Sequence, residues 1–222
     1  MQVVYSPKLA IFDLDGTISI NPDFYRAVYS GTLNETVSAC HGEEGLQVLA
    51  RCRTQYQGKG ELALLALNIP FSEWAQRLIN APLDKVAPDR ILVQKFHRLE
   101  CRKVVYTGSP VVMAERILQR IGFGSKDFDQ VIGWQEPEFF PIKWTGSPVV
   151  FQGILTAYGC RAHEAWAIGD QWETDLRPAK VLGSTTMMIR PKEKGRVGNP
   201  NWRYDTPHDF LDDIHNLVQK AR

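Results

Sequence analysis

Leu9-Ala10-Ile11-Phe12 is apolar without alternation and stops abruptly at Asp13-Leu14-Asp15-Gly16-Thr17. A short, uninterrupted apolar run bounded by a turn signal reads as a strand buried on both faces, the kind found in parallel sheets covered by helices. Such a sheet presents its ligand-binding loops at the carboxyl ends of its strands. Side chains alternate along extended backbone, so Asp13 and Asp15 can point the same way while Leu14 turns into the core. Gly16 lets the chain turn sharply and Thr17 supplies a hydroxyl there. An isolated Asp-Gly is most often a plain turn; two further runs of the same kind lift this one above that reading.

Trp166-Ala167-Ile168 ends in Gly169-Asp170, with Asp175 five positions later. Val104-Val105-Tyr106 ends in Thr107-Gly108-Ser109-Pro110, which delivers a hydroxyl instead of an acid. Ser109 reads as a helix N-cap with Pro110 at the first helical position, ahead of the amphipathic set Val111, Val112, Ile117, Leu118 and Ile121. The N–H groups of that helix start would lie beside Thr107 and attract an anion. Lys143 precedes another helical pattern and adds a cation; Lys126 is the alternative.

Acid pair, hydroxyl, lysine and acid pair, in this order, resemble the four motifs of the haloacid dehalogenase-like superfamily: Asp13-Leu14-Asp15-Gly16-Thr17, Thr107, Lys143, and Gly169-Asp170 through Asp175. The resemblance spans nearly the whole chain. Many relatives carry proline after the motif lysine, where this chain has Trp144; Lys143 is preferred to Lys126 because its distance to Asp170 leaves room for a helix and a strand. The resemblance implies a Rossmann-like parallel sheet with helices on both faces, and a small helical cap inserted after the first strand. It implies a Mg²⁺-dependent phosphatase acting on a small phosphorylated metabolite.

In that chemistry Asp13 attacks phosphorus and forms an aspartyl-phosphate, and Asp15 serves as general acid and base. Thr107, the N–H of Gly108 and Lys143 grip the phosphate oxygens. Asp13, Asp170 and the backbone carbonyl of Asp15 are hard oxygen ligands suited to Mg²⁺. Asp175 would stand behind them, holding a metal-bound water or orienting Lys143. Dehalogenases of the superfamily lack the acid two residues after the nucleophile, and its phosphonate hydrolases replace it, so Asp15 disfavours both. A phosphomutase or a non-catalytic phosphate-binding module are the alternatives. Ile69-Pro70-Phe71 and Pro82-Leu83 give the insert a diffuse resemblance to pyrimidine 5′-nucleotidases, which implies a nucleoside monophosphate as substrate; phosphoglycolate is the alternative.

A chain of 222 residues with 44% hydrophobic content can bury one α/β core and carry a smaller lobe. Helical patterns without strand signals fill the chain between the first two strands, so the α/β core is expected over 1–17 and 96–222 and the cap over 18–95. A formal net charge of +1 argues against a nucleic-acid polymer as partner. Cys40, Cys52, Cys101 and Cys160 are scattered without zinc-ligand spacing and read as reduced thiols. No run is apolar for long enough to span a membrane and no signal pattern opens the chain, so a cytoplasmic location is expected.

Overall fold

The computed structural model describes residues 6–56, 60–135, 141–190 and 197–219. Among them is a six-stranded, wholly parallel sheet: β1 (Leu9–Phe12), β2 (Arg102–Pro110), β3 (Gln130–Trp134), β4 (Ala165–Gly169), β5 (Thr185–Ile189) and β6 (Trp202–Tyr204), in the order β3-β2-β1-β4-β5-β6. The chain winds outward from β1 through β2 to β3, then returns to β4 on the other side of β1 and winds outward again. The winding reverses at β1, which makes the carboxyl ends of β1 and β4 the topological switch point of the sheet.

The apolar run of β1 is buried along its whole length because both faces of the sheet are covered. On one face Leu9 and Ile11 join Val104, Tyr106, Ala165, Ala167 and Met188 against Phe151, Ile154, Leu155, Leu176 and Ala179. On the other, Phe12 lies 4.8 Å from Phe96 and 6.4 Å from Phe210, ring centre to ring centre. The run in β4 behaves likewise: Trp166 turns toward Phe210 at 6.3 Å, while Ala165 and Ala167 face the opposite layer.

The chain groups into two compact units, divided after Ile20 and again before Ala87. The second unit is built from Asn21–Val86, and its described elements are all helical: α1 (Pro22–Tyr25), a wider turn over Arg26–Ser30, α2 (Gly31–Gln55), α3 (Leu62–Ala66) and α4 (Phe71–Asn80). Asn21 starts it by accepting from the N–H groups of Asp23 and Phe24, with Pro22 preset for the first turn. Gly42, at φ 57° and ψ −145°, breaks α2 in two. The core of this unit collects Phe24, Val28, Leu33, Val37, Leu49, Leu64, Trp74 and Leu78. Trp74 Nε1 donates to the buried Thr32 hydroxyl at 3.0 Å, which in turn donates to the Val28 carbonyl, so the polar atoms taken into this core keep partners.

The expected insert, 18–95, is therefore too long at its carboxyl end. Arg90–His97, α5, belongs to the sheet unit. Phe96 packs at a tilt on Phe12 and edge-on against Phe123 and Phe128, and burying a phenylalanine contributes about 2–3 kcal/mol. The half-exposed Lys95–Asp212 ion pair at 2.7 Å adds less. Asp89 caps α5 through the Leu92 N–H and accepts from His208 at 2.8 Å, which ties the start of α5 to the last helix.

The sheet is covered further by α6 (Val111–Ile121), α7 (Pro148–Ala157), α8 (Arg177–Leu182) and α9 (Pro207–Gln219). The expected helix start at Ser109-Pro110 falls one residue later, because β2 runs through Pro110 and α6 begins at Val111 with no side-chain cap. β6 has no counterpart among the strand signals of the sequence. Among the described residues no helix is long and apolar enough to cross a membrane.

Candidate active site

The Asp13 N–H donates to the Ile168 carbonyl at 2.8 Å, which fastens the end of β1 to the end of β4. Two acidic loops therefore leave the sheet from neighbouring backbones. Asp13 is 6% exposed. Its Oδ2 accepts from the Thr17 hydroxyl at 2.9 Å, and its Oδ1 is ion-paired with Lys143. Lys143 also reaches Asp175 Oδ1 at 2.9 Å and lies 5.4 Å from the centre of the Tyr106 ring. Burial alone would lower the pKa of this ammonium; the charges of Asp13 and Asp175 outweigh it and hold Lys143 protonated. Lys126, by contrast, is exposed in the turns after α6.

Asp175 is pinned from several sides: the Gln171 N–H and Thr174 hydroxyl donate to it at 2.8 and 3.1 Å. Asp15 makes a different set of hydrogen bonds. Its Oδ2 accepts from the Thr107 hydroxyl at 3.1 Å and the Ser109 hydroxyl at 2.5 Å, while the Ser109 N–H donates to Thr107 Oγ1 at 3.1 Å. The Ser109 hydroxyl is thus spent on Asp15 rather than on capping a helix, since a carboxylate within reach is a strong acceptor for an O–H donor.

Glycine makes the crowding of acids possible. Gly16 sits at φ +91°, and a Cβ there would lie 2.8 Å from Asp170 Cγ. A Cβ on Gly169 would lie 2.6 Å from Asp175 Oδ2. One carboxylate oxygen each from Asp13, Asp170 and Asp175 falls within 4.8 Å of the others. The sequence reading gives the cation Asp13, Asp170 and the Asp15 carbonyl, with Asp175 behind them; in the structure the Asp175 carboxylate lies within the gathered three.

The donor set fits a hard divalent cation. Asp170 Oδ1 is buried and has no hydrogen-bond partner among the described residues, a costly condition for a carboxylate oxygen. Burial, then the charge of Asp175, push the Asp170 carboxyl up to about 7, against the pull of Lys143, Gln171 and Arg190. One lysine among these acids leaves negative charge unbalanced, and oxygen ligands of this kind suit Mg²⁺.

The sequence signals for Asp13, Asp15, Thr107, Lys143, Asp170 and Asp175 converge on one end of one sheet. Gly108 stands beside Thr107 at the same strand end. Sequence reasoning does not pick out Ser109 or Tyr106 as members. A signal for Ser109 exists, because residues two apart on a strand share a face and Thr107 is a motif residue.

Comparison with solved structures decides the architecture. The chain superposes on a haloacid dehalogenase-like family hydrolase from Xanthomonas campestris at TM-score 0.57 and 17% identity, covering 97% of this chain and 94% of that one. The chain adopts the haloacid dehalogenase-like fold. CbbY from Rhodobacter sphaeroides, solved in complex with phosphate, gives TM-score 0.60 at 16% identity over 92% of this chain and 96% of its own. The L-2-haloacid dehalogenase of Xanthobacter autotrophicus with chloropropionic acid covalently bound gives 0.55 at 14% over 94% and 98%. No protein-family model and no curated protein matches the sequence. The haloacid dehalogenase-like fold accounts for the parallel sheet, and proteins of different chemistry share it, so the reaction must be argued from the side chains.

Proposed function

We propose that this chain is a Mg²⁺-dependent phosphomonoester hydrolase that works through an aspartyl-phosphate on Asp13. One observation carries the reading: two carboxylates two residues apart occupy different environments. Asp13 is buried among Lys143, Thr17 and the other acids, and Asp15 is held by two hydroxyls. Carboxylates separated in this way can take separate roles, one as nucleophile and one as proton carrier.

An Asp13 oxygen attacks phosphorus and the bond to the leaving alkoxide breaks, with the proton supplied by Asp15. Asp15 then takes a proton from water as its oxygen attacks the phosphoryl group, which frees the Asp13 carboxylate and releases phosphate. The Gly108 N–H and the Lys143 ammonium bind the phosphoryl oxygens, and the Thr107 hydroxyl joins them by turning its one proton from Asp15, which keeps the Ser109 hydroxyl. Asp13, Asp170 and the Asp15 carbonyl, with Asp175 adjoining, would hold the cation, which supplies neutralisation of the charge that otherwise keeps a phosphate from a carboxylate. Asp15 favours this chemistry over halide displacement, which needs no such proton carrier.

The test is phosphate release from p-nitrophenyl phosphate and acetyl phosphate, followed by nucleoside monophosphates, sugar phosphates and phosphoglycolate. Activity abolished by a chelator and restored by Mg²⁺ is expected, with no chloride released from 2-chloropropionate. Phosphate release at background across all of these substrates would point instead to a binding module.

A smaller effect isolates the cation. In Gly16→Ala the new methyl meets the Asp170 carboxylate at a backbone angle that L-residues rarely adopt. Asp170 has to give way, so Mg²⁺ affinity should fall about tenfold or more, as read by titration calorimetry. Unchanged affinity would remove Asp170 from the cation site.

A further inference from the structure

Trp144 follows Lys143 on the single helical turn Ile142–Thr145. Its indole lies directly against Gly108: a Cβ there would overlap Trp144 Nε1 and stand 3.0 Å from Cδ1 and Cε2. Trp134, the last residue of β3, lies 6.2 Å from the Trp144 ring at a tilt of 48°. The segment that Trp144 covers is irregular, because the β2–β3 register shifts between Tyr106 and Pro110. A bulge of this sort re-aims side chains and has little ladder of its own to fix it. Gly133 braces it from β3, since a Cβ on Gly133 would lie 2.5 Å from the Ser109 carbonyl oxygen.

From this packing we propose that Trp144 is a positioning residue, a clamp that fixes the Thr107–Gly108 bulge relative to Lys143. The inference rests on the phosphate-binding role proposed above for Thr107, Gly108 and Lys143. The hydroxyl and N–H come from β2 and the ammonium from a separate turn, so binding one phosphate requires a set spacing between two elements. The indole belongs to the lysine turn and is wedged on the bulge, and it is the group that sets that spacing. Gly108 is required for the same reason: any side chain there would displace the wedge. Trp144 is itself only partly buried, so its removal opens less core than loss of Trp134 would.

Two readouts on the intact chain test the clamp. The first is amide hydrogen exchange over residues 106–110 without ligand. Trp144→Ala should speed exchange there about tenfold and leave β4 unchanged, as expected when one local brace is removed, and Trp144→Phe should recover part of the protection. The second is affinity for inorganic phosphate with Mg²⁺ present. Trp144→Ala and Gly108→Ala should each weaken it about tenfold, with KM for p-nitrophenyl phosphate raised more than kcat is lowered. Exchange over 106–110 unchanged in Trp144→Ala, or full phosphate affinity in a folded Gly108→Ala, overturns the clamp. Faster local exchange in a chain whose wild type binds no phosphate supports the clamp and overturns the phosphatase reading instead.

Discussion

Asp13→Asn is expected to lower phosphate release at least about a hundredfold, because an amide cannot act as the nucleophile and the covalent route closes. The replacement is nearly isosteric. Thr17 can still donate to the remaining carbonyl oxygen, and Lys143 keeps Asp175 at 2.9 Å. The buried Lys143–Asp13 pair is lost, but one negative charge also leaves a group that has more acids than cations and Asp175 still faces the lysine, so the melting temperature should fall less than in Lys143→Met. Raising Mg²⁺ separates two explanations for the loss. If Asp13 served only as a metal ligand, activity would return as the cation is driven onto a weakened site; a nucleophile once removed is not replaced by mass action. Turnover near that of the wild type, or recovery at saturating Mg²⁺, would sink the assignment.

The acids are legible in the sequence because a buried parallel strand announces itself twice, by an unbroken apolar run and by the polar turn just beyond it. Leu9-Ala10-Ile11-Phe12 and Trp166-Ala167-Ile168 both do so, and neighbouring strands in the sheet bring Asp13 and Asp170 together. Three features are hidden for physical reasons. A boundary drawn at residue 95 cuts through α5, since the amphipathic pattern of Arg90–His97 says that one face is buried but not against which unit; Phe12, Phe123 and Phe128, remote in sequence, decide that. Ser109 before Pro110 carries the local signature of a helix start, and a long-range acceptor, Asp15, claims its hydroxyl. Trp202–Tyr204 is a three-residue edge strand whose pairing with β5 no local pattern marks. Local chemistry is readable in each case, and the tertiary partner that overrides it is not.

Lys143→Met should be the most destabilising of the substitutions considered. Lys143 is 5% exposed and ion-paired to both Asp13 and Asp175, and removing one partner from a buried charge group costs roughly 3–5 kcal/mol, because the charges left behind have neither water nor counterion. A surface ion pair would cost about 1 kcal/mol or less, so the size of the loss distinguishes the two. The gap from the wild type should narrow in acid, since carboxylates left without their cation have raised proton affinity in the folded chain, and binding protons there relieves the repulsion. Mg²⁺ should restore part of the melting temperature, more in Lys143→Met than in the wild type, by supplying positive charge to the same acids. Lys126→Met, at an exposed position, serves as the control and should change neither stability nor phosphate release. A Lys143→Met chain as stable as the wild type at neutral pH, with or without Mg²⁺, would mean that the acids at the end of this sheet do not share their charge through Lys143.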